Sequence, residues 1–320
     1  MFKRIIRKLS SAGKDAPGPR LSVILVSYKM DAQIGNTLRS LLPPYQKKIK
    51  KAEYDIVIAD NGSPKPLPEE TWKIASNVRY HYIPPAEASP NPGVAVNRAA
   101  RTARGKAVAV MIDGARMVTP GVLSWGLRLL DLTPRALVEV RSWHLGPKLQ
   151  AESILEGYDH EVEKEMLLQS RWLENGYRLF DISASNTLSM DGFGGKAMES
   201  NCLIMPKELF DGIGGYNEAY SEPGGGLVNH DFYARAVAAA DQVFTLLGEG
   251  TFHQIHGGAA TGLTLAQLDK ALERWWAESR RLGNDLKPPS REKFILAGHL
   301  PPECRRWLGQ TAEESSLRRK

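Results

Sequence analysis

Residues 21–29, LSVILVSYK, decide how this chain is read. The stretch is a short, nearly continuous apolar run, rich in β-branched residues. A strand exposed on one face alternates apolar and polar side chains, whereas a strand covered on both faces does not. The run therefore predicts a central strand of a parallel sheet. Working outward, similar texture returns in YDIVIAD (54–60), VRYHYI (78–83), KAVAVMID (106–113) and ALVEVRSW (136–143). Helical stretches fall at 31–42 and 93–104, and another opens at Pro120-Gly121. Pro43-Pro44, Asn61-Gly62-Ser63-Pro64 and Gly105 punctuate them. This β-α-β order predicts an α/β fold with a mostly parallel central sheet, flanking helices and right-handed crossovers. Ligands of such sheets bind at the carboxyl ends of the strands.

Polar residues fall at those ends. Ser27 and Tyr28 close the first strand, Asp60 the second and Asp113 the fourth. Asp disfavours strands, and one alone reads as a turn or helix cap. Two on one predicted sheet edge point to a site.

The second half is less regular. Residues 151–176 read as one long helix, with Glu152, Glu156, Glu161, Glu163, Glu165 and Glu174 on a solvated face. Residues 181–198, rich in Ser and Gly, read as loop. ESNCLIMPKELFDGIGGYNEAY (199–220) reads as a strand, a short helix begun at Pro206 and a glycine turn. Gly224-Gly225-Gly226 precedes the helix LVNHDFYARAVAAAD (227–241), and QVFTLLGEGTFHQIHGG (242–258) gives a strand and a loop. Residues 264–282 form an amphipathic helix whose Trp275-Trp276 pair is expected to pack on the main domain.

Composition narrows the function. Of 320 residues, 42% are hydrophobic and 24% charged, as in ordinary globular proteins. No apolar run approaches the ~20 residues that span a bilayer, and the first residues lack the apolar stretch of a secretory signal. Cys202 and Cys304 lie outside any CxxC pattern, which argues against a disulfide scaffold and for a reducing, cytoplasmic setting. The net charge of +6 sits at the ends: residues 1–20 carry six Lys or Arg against one Asp, and residues 301–320 five against three Glu. Nucleic-acid binders carry basic excess on the folded domain, so no nucleic-acid partner is expected. MFKRIIRKLS (1–10) sets Phe2, Ile5, Ile6 and Leu9 on one helical face and basic residues on the other. That pattern suits either peripheral attachment to an anionic membrane surface or a solvated terminus.

At this point seven pieces occur in one order: VILVSYK (23–29), DNGS (60–63), NPGVAVNRAA (91–100), MIDGARMVTPG (111–121), ESNCLIMPKELFDGIGGYNE (199–218), NHDFYARA (229–236) and FHQIHGG (252–258). In these the chain resembles the family 2 glycosyltransferases, inverting enzymes of GT-A fold, over roughly 21–262. The resemblance implies a GT-A domain at 21–262 between a basic N-terminal segment (1–20) and a C-terminal helical extension (263–320). It implies a nucleotide-sugar donor, UDP-linked first, and a glycan or lipid-linked acceptor in cell-surface polysaccharide or glycolipid synthesis at the inner membrane face. Ser27 and Tyr28 would hold base and ribose, and Asp60 would accept an imide N–H. Arg98 would lie near the diphosphate.

Asp113 matches the first acid of the family's DxD signature, which holds a divalent cation, Mn²⁺ or Mg²⁺. Here the sequence departs from the pattern, because the second acid is Ala115. His253 or His256 would supply another ligand. Asp231, at the first turn of a helix behind the glycine loop, is the expected catalytic base, with Glu222 and Glu199 as runners-up. The 221–229 loop would close over substrate. Two alternatives remain at this stage. A non-catalytic nucleotide-sugar-binding partner subunit is favoured by Ala115. A nucleotidyltransferase would need a glycine-rich phosphate loop after the first strand, which SYKMDAQIG does not provide; Gly192-Phe193-Gly194-Gly195 lies in the wrong place.

Overall fold

β1 (Leu21–Ser27) is buried along its whole length, as are β4 (Ala107–Met111) and all but the last residue of β2 (Tyr54–Asn61). These belong to a computed structural model that describes residues 18–186, 191–195, 197–257, 265–287, 290 and 292–308. The amphipathic pattern at 1–10 lies outside the described residues. Burial on both faces follows from two helical layers. Leu21, Val23 and Leu25 enter one core with α1 (Ile34–Leu41), while Ile24 and Val26 enter the opposite core. The two-residue side-chain period thus feeds two cores from one apolar run.

The remaining elements in chain order are α2 (Glu69–Trp72), β3 (Val78–Ile83), α3 (Pro92–Thr102), β5 (Arg116–Val118), α4 (Val122–Leu130) and β6 (Ala136–Leu145). They continue with α5 (Gln150–Leu155), α6 (His160–Ser170), β7 (Ser183–Ser185), β8 (Leu203–Pro206), α7 (Lys207–Gly212), α8 (Val228–Ala239), β9 (Gln242–His253), α9 (Leu265–Arg281) and β10 (Phe294–Gly298). The sheet runs β10-β9-β6-β8-β4-β1-β2-β3, with β5 on β9 and β7 on β6. Neighbours are parallel except where β8 joins β4 and β6, and where β5 and β7 pair. α1 and α4 cover one face; α3 and α8 cover the other. A third cluster around the buried Trp143, Phe180, Phe193 and Phe252 fills the space beside the far halves of β6 and β9.

Two expectations change. The long helix over 151–176 is broken. Gly157 adopts φ +90°, which only glycine takes freely, and the Asp159 side chain caps α6 by accepting the Val162 N–H at 2.9 Å. The glutamates do not all face solvent either, since Glu163 is 2% exposed. Nor do residues 263–320 form a purely helical extension. β10 is an edge strand of the same sheet, and Cys304 and Trp307 belong to the third cluster. Trp275 and Trp276 pack against the core beneath α8, as expected.

Candidate active site

Register brings the first residues together. In the parallel β1–β2 ladder Ser27 stands beside Asp60. The Ser27 hydroxyl is buried and has no partner among the described residues, while Tyr28 turns out to solvent. The Lys29 N–H donates to Ser63 Oγ at 2.9 Å, knitting the turn after β1 to the turn after β2. Asp60 is fully buried. Its Oδ1 accepts the Ser63 N–H at 3.3 Å, and its Oδ2 accepts the Tyr80 hydroxyl at 2.7 Å. Burial, then the hydrogen bond to Asp60, pushes the Tyr80 phenol above its ordinary range, so it stays a donor. Arg98 is exposed on α3 and reaches the Glu87 carbonyl at 3.4 Å.

Asp113 stands just beyond the carboxyl end of β4. Its Oδ1 accepts the Ala115 N–H at 3.0 Å, a tight local turn that leaves Ala115 fully buried. Its Oδ2 meets Arg116 Nε at 3.3 Å and His253 Nε2 at 2.9 Å, and His256 Nε2 lies 3.7 Å from Oδ1. Strand pairing explains the meeting. Arg116 on β5 and His144 on β6 both lie opposite His253 on β9. Arg116 Nη1 donates to Ser142 Oγ at 2.6 Å, which fixes the guanidinium beneath the carboxylate. Burial alone would raise the Asp113 pKa. The neighbouring His253 and Arg116, and after them His256, outweigh it and hold the carboxyl well below its usual range. Burial pushes His253 down to about 4 and His144 to about 3, so both rings are neutral near pH 7.

These residues fit a divalent cation. One donor atom each from Asp113, His253 and His256 converges within 4.8 Å. His253 Nε2 lies 2.9 Å from both Asp113 Oδ2 and His256 Nε2, close to the ~3 Å that separates neighbouring donors held ~2.1 Å from one ion.

The acidic residues of the second half separate. Asp231, on the first turn of α8, is 2% exposed, and its Oδ2 takes both Nε (3.0 Å) and Nη2 (2.7 Å) of Arg235. Arg235 in turn donates to the Ile213 carbonyl at 2.8 Å. Through Arg235 that carboxylate ties α8 to the end of α7. Glu199, with a side chain 19% exposed, is different. It accepts from Asn229 at 2.7 Å, lies 3.5 Å from His230 Nδ1, and its charge is felt at Arg116, the partner of Asp113. Glu222 pairs with Arg274 of α9 at 3.3 Å. The glycine turn is pinned as well: the Ser221 N–H and hydroxyl both donate to Glu278 of α9 at 2.8 and 2.7 Å. Gly224, Gly225 and Gly226 all have positive φ, so the glycines serve a fixed turn. The loop is thus attached to α9 rather than free to close by itself.

Four residues escaped the sequence reading. Arg116 lies three residues after Asp113 and offered a signal there. His144, Gln150 and Glu163 are brought in only by folding. Gln150 Oε1 contacts His253 Nδ1 at 2.8 Å. Glu163 accepts the Ile255 N–H at 2.8 Å and the Tyr158 hydroxyl at 3.0 Å, and burial raises it to about 7.

Comparisons agree with this layout. Residues 22–135 match the model of Glycosyl transferase family 2. Among solved structures, S. aureus TarS 1–349 in complex with UDP-GlcNAc superposes with a TM-score of 0.51 at 14% identity, over 84% of this chain and 68% of that one. The same protein in complex with UDP gives 0.50 at 14% identity, over 85% and 76%. No curated protein matches the chain. At that identity the likeness speaks for the fold, in which the matched segment carries β1 to β5 and Asp113. The chain therefore has a GT-A fold, and its residues 22–135 are similar to Glycosyl transferase family 2.

Proposed function

We propose that the chain transfers a sugar, with inversion, from a nucleoside-diphosphate sugar to an acceptor hydroxyl. The observation that carries this is the Asp113 carboxylate, kept ionised by Arg116 and two histidines just beyond the sheet's carboxyl edge. A UDP-linked donor is favoured because the superposing TarS structures contain UDP-GlcNAc and UDP. The base and ribose would lie over Ser27 and Tyr28, with Asp60 accepting from the imide and Arg98 approaching the diphosphate. Ser27, whose buried hydroxyl lacks a partner among the described residues, supports a ligand there.

Asp113, His253 and His256 would hold the divalent cation, which when bound neutralises charge on the leaving diphosphate. Glu199 is our choice of base. Its partial exposure and its nearness to Arg116 support it over Asp231, whose charge is spent on Arg235. Glu199 takes the proton of the acceptor hydroxyl as its oxygen bonds to the anomeric carbon and the bond to the diphosphate breaks. An α-linked donor then gives a β-linked product.

Lipid-linked or polysaccharide acceptors at the cytoplasmic membrane face fit the basic residues 1–10. No described helix is long and apolar enough to cross a membrane. A panel of UDP-, GDP- and dTDP-sugars tests the donor by thermal stabilisation, followed by product analysis with NMR of the anomeric proton. Stabilisation by UDP-sugars and a β-anomer are expected. Absence of binding by every nucleotide sugar overturns the proposal.

A further inference from the structure

We propose that Asp113, His253 and His256 select a borderline transition-metal ion over Mg²⁺, and that Gln150 is the positioning residue that makes His253 a ligand. This rests on the reading that the cluster holds a cation. It extends that reading to the class of ion and to the device that selects it.

The donor set comes first. A second carboxylate at position 115 would present hard oxygen to the ion, which suits Mg²⁺. The side chain there is a buried methyl, and two imidazoles stand beside Asp113. Imidazole nitrogen favours ions along the series Mn²⁺, Co²⁺, Ni²⁺, whereas Mg²⁺ gains little from it.

The tautomer comes second. Gln150 is 1% exposed. Its backbone N–H donates to His144 Nδ1 at 3.1 Å, which fixes the start of α5 against the β6 residue that pairs with His253. Its Oε1 lies 2.8 Å from His253 Nδ1. An amide oxygen only accepts, so that contact places the imidazole proton on Nδ1 and leaves a lone pair on Nε2. That lone pair faces Asp113 Oδ2 and His256 Nε2, each at 2.9 Å. Two acceptors facing each other repel, and a cation between them turns the repulsion into coordination. The reverse orientation of the Gln150 amide would send the proton to Nε2 and close the cluster as a hydrogen-bonded set with no free lone pair. The choice therefore has a consequence that binding reads directly. Glu163 adds the second support: by accepting the Ile255 N–H it fixes the backbone between the two histidines.

The test uses the full chain stripped with a chelator and titrated calorimetrically with Co²⁺, Mn²⁺ or Mg²⁺, without nucleotide. Visible absorption reports the Co²⁺ ligands. Co²⁺ is expected to bind one to one, at least ~10-fold more tightly than Mg²⁺. Gln150→Met should weaken Co²⁺ by ~10- to 100-fold and move its absorption. Gln150→Glu, whose carboxylate can only accept from Nδ1, should restore it. Melting of each metal-free variant separates this from a folding defect. Mg²⁺ binding as tight as Co²⁺ overturns the selectivity. Unchanged Co²⁺ affinity in a folded Gln150→Met overturns the role of Gln150. Absence of any metal binding by protein that still binds UDP overturns the cation reading and this inference with it. Absence of UDP binding with Co²⁺ selectivity intact strikes only the proposed function.

Discussion

Exchanging Asp231 for Asn and, separately, Glu199 for Gln distinguishes the acid that the sequence ranks first from one that it ranks behind. Breaking a fully buried ion pair by removing one partner costs roughly 3–5 kcal/mol. Asp231 is 2% exposed, but the Arg235 side chain is 32% exposed and keeps its bond to the Ile213 carbonyl. Solvent can thus recover part of the orphaned charge, and asparagine keeps one acceptor oxygen, so ~2 kcal/mol is the reasonable loss. For a chain of this size that lowers Tm by ~3 °C. Below the new transition, turnover should stay within a few-fold of wild type. Glu199→Gln should behave inversely: Tm within ~1 °C, UDP affinity retained and kcat lower by at least ~100-fold, the contribution of a general base. The assay is release of UDP from a donor sugar in the presence of acceptor, run beside thermal denaturation of each variant. Loss of turnover in Asp231→Asn at unchanged Tm, together with normal turnover in Glu199→Gln, would refute the assignment and return the base to Asp231.

Three further outcomes follow from the packing. Burial raises Glu249 to about 7, and hydrogen bonds from Tyr177 and Gly121 only partly oppose it. A raised carboxylate contributes stability below its unfolded value, near 4.5, and loses it as pH rises through 7. Glu249→Gln should therefore gain on wild type between pH 5 and pH 8.5, by at most ~3 kcal/mol, in paired denaturant titrations; a gain that shrinks with pH would contradict the sign. Ending the chain after residue 287 removes β10, Cys304 and Trp307, so cooperative melting should disappear; a truncated protein that melts sharply would make the last residues an appendage. Gly248 has φ +78°, and a Cβ there would collide with the His299 carbonyl. Gly248→Ala should cost upwards of ~2 kcal/mol in urea unfolding, and a neutral result would show that the β9–β10 contact yields easily.

The sheet's first half was readable because parallel strands between two helical layers are apolar throughout, and LSVILVS and YDIVIAD show this directly. Ser27, Asp60 and Asp113 at the strand ends were readable for the same reason, since polar residues interrupting such runs mark the carboxyl edge. β5, only three residues long, has no pattern of its own and exists because β9 pairs with it. The meeting of Arg116, His144 and His253 is a matter of register, which composition does not encode. The partner of Asp231 was also in view: Asp231 and Arg235 are four residues apart on a helix, the spacing that lets side chains pair. Gly157 and the Asp159 cap were equally visible, and passing over them merged two helices into one.

The pairing of distant strands also has a consequence for biosynthesis. β4 is complete once Met111 is made, yet its outer edge is covered only when Leu203–Pro206 arrives as β8. β5 waits longer still, for Thr251 to His253. A nascent chain therefore holds β1 to β4 with the apolar edge of β4 open at least until Pro206 is made. Such edges seed pairing between molecules. The segment that carries the family's signature is for that reason a poor unit to express by itself, and the middle of the chain is what makes it safe to fold.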